Sequence, residues 1–115
     1  MPEGPECRRM ALQLSEEVSN KRLIDIVVES GRYTKKPIQG IEDLLSDTPI
    51  HIRGAGVHGK FIFFLLDHEW SIWNTLGMTG GWSHKLQKNS RVRFMLEDGP
   101  VFFNDTRNFG TLKFV

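Results

Sequence analysis

From Leu23 to the last residue, short β-branched and aromatic runs recur at close spacing, and turn residues cut each one off. Short strands at this spacing, with turns between them, favour a sandwich or a barrel. The runs are 23–29, 50–57, 60–66, 70–76, 91–96, 101–104 and 111–115. Glu97-Asp98-Gly99-Pro100 is a strong hairpin turn between two of them, and Asp67-His68-Glu69 is a turn between two others. Gly54 and Gly56 invite a bulge or bend in the second run. Residues 31–40 read as a polar loop, 41–45 as a short helical turn, 57–60 as a tight turn, and Gly77, Gly80 and Gly81 as breaks. A mainly β fold follows, a sandwich or a barrel with a helix packed on it. We expect the two-layer sandwich of about eight antiparallel strands.

The helix is at the start. Cys7, Met10, Ala11, Leu14 and Val18 recur at three- and four-residue steps over residues 5–21, which gives one apolar stripe. Pro5 suits the first turn. Burying that stripe would fix the N-terminus in space. The length, 115 residues, suits one domain with its own core. Hydrophobic residues make up 39% and charged residues 25%, which excludes a disordered chain.

Net charge is +1, so any anion-binding face must be a local patch and not a global field. Residues 51–115 carry eight Lys/Arg against five Asp/Glu, and residues 1–50 carry seven against nine. The single cysteine, Cys7, excludes an intrachain disulfide and a multi-cysteine zinc site; it reads as a small buried hydrophobe. His51, His58, His68 and His84 lack metal-ligand spacing, so no metal is expected. The longest apolar run, Phe61 to Leu66, is too short to span a bilayer, and the N-terminus has no signal-peptide character. An intracellular, reducing location and no membrane are expected.

The N-terminus carries the clearest chemistry. Methionine before a small residue is normally trimmed, which would leave Pro2 as a free secondary amine. Terminal α-amino groups titrate near ~7.7–8.0, so a useful fraction is unprotonated at neutral pH. Glu3 stands beside it and Glu6 three residues later. An amine nucleophile beside a carboxylate is the minimum kit for Schiff-base chemistry at an aldehyde or sugar carbon.

Three further segments stand out. Gly56-Val57-His58-Gly59-Lys60 puts a lysine at a hairpin tip, either a solvated strand opener or a cation reaching a phosphate. Leu76-Gly77-Met78-Thr79-Gly80 holds a methionine between glycines, either a core gap-filler or a wedge that fills the hole left by an extruded base. In Asn104-Asp105-Thr106-Arg107-Asn108-Phe109-Gly110, Arg107 and Phe109 would point the same way from an extended stretch. Arginine can pair with an orphaned base and phenylalanine can stack on its neighbour, though Phe109 also suits a core. Asp105 fits a loop orienter that accepts from nearby backbone amides. Trp70, Trp73 and Trp82 suit core packing more than a platform for DNA. Lys85, Lys88, Arg91 and Arg93 form the densest basic stretch, a phosphate contact or a solvated edge.

The string MPEGPE, followed in order by the G-x-x-G-K, L-G-M-[ST]-G and D-x-R-x-F-G segments, resembles the formamidopyrimidine-DNA glycosylase/endonuclease VIII family, nearer its endonuclease VIII branch. The resemblance runs from Met1 to Gly110 and implies a base-excision repair glycosylase with AP-lyase (β,δ-elimination) activity on oxidised bases. Pro2 is then the nucleophile, Glu3 and Glu6 handle protons or water, and Lys60 holds the phosphate beside the lesion. Met78, Arg107 and Phe109 fill and read the vacated stack. No cofactor is implied. The partner is damaged double-stranded DNA, and the protein is expected to act as a monomer where the genome is: nucleus, nucleoid or viral replication site.

Two departures matter. Asn108 stands where the family often has a second arginine, which weakens phosphate contact there. The family's enzymes also add a helix–two-turns–helix domain, usually with a zinc or zincless finger. Nothing here corresponds to these, so residues 1–115 read as the N-terminal, catalytic-type domain alone. Phosphate contacts supply most of the affinity for DNA, so activity could be impaired. The alternatives are a catalytically silent DNA- or protein-binding sandwich, and a structural all-β interaction domain with no nucleic-acid role.

Overall fold

The computed structural model describes residues 4–58, 61–76, 80–106 and 110–115, with the side chains of 4–7 outside the description. It opens with helix α1 (Gly4–Val18) and continues through β1 (Arg22–Val28), a 3-10 turn (Arg32–Thr34) and α2 (Ile41–Ser46). The rest is β2 (Ile50–His58), β3 (Phe61–Leu66), β4 (Ser71–Thr75), β5 (Gly80–Ser83), β6 (Ser90–Leu96), β7 (Gly99–Asp105) and β8 (Thr111–Phe114).

All eight strands join one antiparallel sheet in the order β5-β7-β6-β1-β2-β3-β4-β8. The sheet folds over on itself at the β1–β2 junction, where only Arg22↔His51 and Leu23↔Ile50 pair. Beyond that short seam the two halves face each other. Aromatic rings meet across the gap: Phe64 with Trp82 at 5.5 Å, Phe64 with Phe94 at 6.4 Å, and Phe94 with Phe114 at 6.3 Å between centroids. This is the expected two-layer sandwich. Period-two alternation builds it; in β6 and in β3 the inward residues are buried and the outward ones at least partly exposed.

The helix packs chiefly against β2. Its stripe behaves as the sequence predicts, with Ala11, Leu14 and Val18 buried and Met10 packed against the core. Cys7 belongs to the same stripe, but its side chain lies outside the description. The helix stops earlier than residue 21. Asn20 takes a left-handed conformation, φ 65°, and its N–H turns away to the carbonyl of Ile52 at 2.8 Å. Asparagine is among the few non-glycine residues that tolerate that conformation, so the chain leaves the helix here.

Two expectations are corrected. Gly80 and Gly81 do not simply break the chain; they begin β5, which pairs with β7 from Gly80↔Asp105 to Ser83↔Phe102. Its local sequence, Gly-Gly-Trp-Ser, has little strand propensity, and the neighbouring strand supplies the order. The polar loop at 31–40 is also partly structured, since Tyr33 packs against the core and its hydroxyl accepts the Leu112 N–H at 2.8 Å. The short helix at 41–45 and the bulge beside Gly54 are present as expected.

Candidate nucleic-acid interface

The register gathers the three singled-out loops at one end of the sandwich. The β2–β3 hairpin closes with the His58↔Phe61 pair, the described residues on either side of 59–60. Phe61 pairs with Thr75, and Thr75 pairs with Thr111, so three strands reach that end in one row. The chain leaves this row at Leu76 and returns at Gly80, whose N–H donates to the Leu76 carbonyl at 2.8 Å. Gly80 pairs in turn with Asp105, the point from which the last loop departs. That loop returns at Gly110, whose N–H donates to Asp105 Oδ2 at 2.6 Å. A ring of direct contacts thus ties the stems of residues 59–60, 77–79 and 107–109 together.

The helix points at the same place. Ala55 N–H donates to Ser15 Oγ at 3.4 Å, and Ser19 and Ser15 are the side chains nearest Gly54. As β2 advances from Ile52 towards His58, α1 therefore runs back from Asn20 towards Gly4. Met10 Cε lies 4.0 Å from the Cβ position of Gly81, next to the Gly80–Asp105 pair. The six residues from Met10 back to Gly4 extend about 9 Å further at the helical rise. The start of the helix therefore points to the end where the three loop stems meet.

Buried polar contacts hold these stems. Asp105 is fully buried and Asn74 likewise. Asn74 Nδ2 donates to the Thr111 carbonyl at 3.1 Å, and Trp82 Nε1 donates to Asn74 Oδ1 at 3.0 Å. Gly110 fits only as glycine, because a Cβ there would stand 2.7 Å from the Thr75 carbonyl oxygen and 2.9 Å from Asp105 Oδ2. The expected role of Asp105 as a loop orienter is therefore realised.

Other holders were not legible in the sequence. Arg91 donates through Nε to the Asp105 carbonyl at 2.8 Å, through one terminal nitrogen to Ser30 Oγ at 3.0 Å, and through the other to the Thr106 carbonyl at 3.2 Å. Arg32 donates to the Gly110 carbonyl at 3.4 Å. Nothing local marks these residues, since each partner lies far away along the chain. The basic stretch from Lys85 to Arg93 therefore divides. Lys85 and Lys88 are exposed, Arg91 clamps a loop stem, and Arg93 pairs with Glu29 and lies over the Phe102 ring.

Charge is distributed unevenly along the sandwich. Glu17, Asp47, Asp67, Glu97 and Asp98 sit towards the opposite end, where several are paired with Lys21, Arg22, Arg53 or His84. The loop-stem end carries Arg8, Arg9, Arg32 and Arg91, while its described carboxylates, Asp105 and Glu29, are internally engaged. A near-neutral chain thus presents a local cationic end, the arrangement that its net charge requires of an anion binder. The tryptophans divide as well. Trp82 packs among Phe64, Phe94 and Phe103, and Trp70 packs on the core and donates to Asp47. Trp73 is exposed.

Pro2, Glu3, Lys60, Met78, Arg107 and Phe109 lie outside the described residues, as does Asn108. Glu6 lies in the first turn of α1, and its side chain is likewise outside the description.

The sequence pattern described as the formamidopyrimidine-DNA glycosylase N-terminal domain matches residues 1–112. A formamidopyrimidine-DNA glycosylase of Desulfitobacterium hafniense is 28% identical over the whole chain, which covers 44% of that protein. One from Oceanobacillus iheyensis is 33% identical over 97% of the chain and 42% of its own length. The MutM (Fpg) protein of Thermus thermophilus superposes with a TM-score of 0.85 at 27% identity, over 99% of this chain and 40% of that one. The fold is also that of the Lactococcus lactis Fpg protein, solved in complex with DNA containing an oxidised pyrimidine (TM-score 0.85, 23% identity, 99% and 44% covered). The chain spans less than half the length of these relatives.

Proposed function

The chain belongs to the formamidopyrimidine-DNA glycosylase family, whose N-terminal-domain pattern it matches almost throughout, and from that premise we propose that it is the catalytic-type domain of a base-excision repair DNA glycosylase/AP lyase acting on oxidised bases. Pro2, freed of Met1, attacks the sugar carbon that bears the damaged base. The new C–N bond forms as the glycosidic bond breaks, and the base departs with its bonding electrons. Glu3 passes a proton to the ring oxygen as the sugar opens, which leaves an iminium. Loss of a proton from the adjacent carbon then expels the 3′ phosphate (β-elimination), and the second elimination expels the 5′ phosphate. Glu6 positions water or a proton, and Lys60 neutralises the phosphate beside the lesion. Met78 fills the vacated stack while Arg107 and Phe109 engage the orphaned base. Genomic DNA is the proposed site of action.

One observation carries the reading. The stems of the three loops and the start of α1 share the cationic end of the sandwich. Proton handling, phosphate binding and base replacement must all occur within one nucleotide, so their residues have to share one end. The proposed DNA partner approaches that end.

The test is trapping with borohydride on DNA that contains an abasic site. Hydride reduces the iminium to a stable amine, so a covalent protein–DNA adduct is expected with the native chain. The adduct should be lost in Pro2→Gly and in protein that retains Met1. Absence of an adduct at high protein concentration, together with retained DNA binding, would establish a catalytically silent DNA-binding module instead.

A further inference from the structure

We infer that the outer face of β3, β4 and β8, beside the hairpin tip, binds single-stranded DNA by stacking unpaired bases on Trp73 and Phe61. Strand alternation turns Phe61, Phe63 and Leu65 away from the core, together with Ser71, Trp73 and Thr75 from β4 and Lys113 from β8. The outer face of an antiparallel sheet is normally polar. Here Leu65 is 50% exposed and Trp73 44%, and the two share a shallow groove with His58, Phe61, Phe63 and Ser71. Contiguous exposed apolar surface of this kind marks a binding site.

The chemistry of the groove selects its occupant. Phe61 and Trp73 stack at 5.4 Å with an interplanar angle of 19°, and His58 meets Phe61 edge-on at 5.5 Å. Lys113 Nζ stands 5.5 Å from the centre of the Trp73 ring. Phe63 lies over Gly56, where a Cβ would approach its Cζ to 2.8 Å, so a glycine keeps the surface flat. Hydroxyls of Ser71, Thr75 and Thr111 rim the face, and among the described residues no carboxylate lies on it. Exposed rings that alternate with a cation and hydroxyls match bases strung on a phosphate backbone. A duplex hides its base faces in its own stack, so the matching ligand is a single strand. The groove also runs directly into His58 and Phe61, which flank the hairpin tip. In that one respect the inference rests on the glycosylase reading, because a strand leaving the lesion would continue onto this face.

Titration of the whole chain with oligothymidylate about twelve nucleotides long, a length that single-strand-binding faces commonly span, tests this by tryptophan emission and by anisotropy of the labelled strand. Quenching is expected at low salt, with weaker binding to a blunt duplex of equal length. Trp73→Ala should weaken binding roughly tenfold or more, the loss expected for one stacked base. Lys113→Glu, which keeps both rings, should weaken it less and flatten its salt dependence. Circular dichroism melting would establish that both variants remain folded. Unchanged affinity in both variants would overturn the inference. So would equal competition by duplex, or concentration-dependent self-association abolished by Trp73→Ala, which would make the face a contact between two copies. Borohydride trapping separates the two proposals: trapping without oligothymidylate binding sinks only this one, and Trp73-dependent binding without trapping sinks only the glycosylase reading.

Discussion

The two ends of the sandwich are held by different physics. At the end away from the loop stems, exposed ion pairs join the turns: Lys21 with Asp98 at 2.7 Å, Arg22 with Glu97 at 3.7 Å, and Arg53 with Asp67 at 3.5 Å. Water screens such pairs, so each contributes little. At the loop-stem end the ties are directed at backbone atoms: Asp105 to Gly110, which is short and buried, Asn74 to Thr111 and Arg91 to Asp105, which are partly buried, and Arg91 to Thr106 at the surface. A buried acceptor cannot be replaced by water, so these contacts fix loop geometry in a way the exposed pairs cannot. The contrast teaches where positional accuracy is concentrated. The cationic end is built for placement, while the acidic end tolerates change.

Substitutions at the two ends can break or sharpen that contrast. The largest effect is expected at Asp105. Replacing it with alanine strands the buried Gly110 N–H, and a cost of about 3 kcal/mol is expected, read from urea unfolding. An unchanged midpoint would mean that Asp105 does not hold the loop. Next comes Gly110→Ala, whose new methyl meets backbone and a buried carboxylate; about 2 kcal/mol is expected for overpacking of this kind, again by urea unfolding.

Asp98→Asn should have the smallest effect, and the effect should depend on pH. The Lys21 ammonium, hydrogen-bonded to Asp98, holds that carboxyl below its ordinary value of 3.8. Because the folded value is depressed, the pair contributes stability above the ordinary value, and that contribution is lost as pH falls through the lowered one. The variant should melt slightly below the native chain at neutral pH, and the gap should close as pH falls through the lowered value. A difference that persists in acid would place the contribution of Asp98 outside its charge.

The elements differ in how far they could be read in advance. The stripe of Met10, Ala11, Leu14 and Val18, the alternation in Phe61–Leu66 and Arg91–Leu96, and the turn at Glu97-Asp98 are local patterns, and each is present in the fold. β5 was not legible because Gly80 and Gly81 carry no propensity for a strand; their order comes from pairing with Asn104 and Asp105. Arg91 looked like one more surface cation because its three acceptors, on Ser30, Asp105 and Thr106, are remote in sequence. Trp73 and Trp82 have similar strand contexts, yet one faces solvent and the other faces Phe94.

By itself, then, the sequence determined the periodicities: one amphipathic helix, strands that alternate, turns where chemistry demands them, and a net charge near zero. Those are properties of neighbours along the chain, and neighbours set propensity and patterning. Only the tertiary structure decided which end of the sandwich collects the loops and cations, because that depends on register between strands tens of residues apart. A one-residue slip in the Phe61–Thr75–Thr111 row would leave every local pattern intact, turn the core face outward and scatter the loop stems.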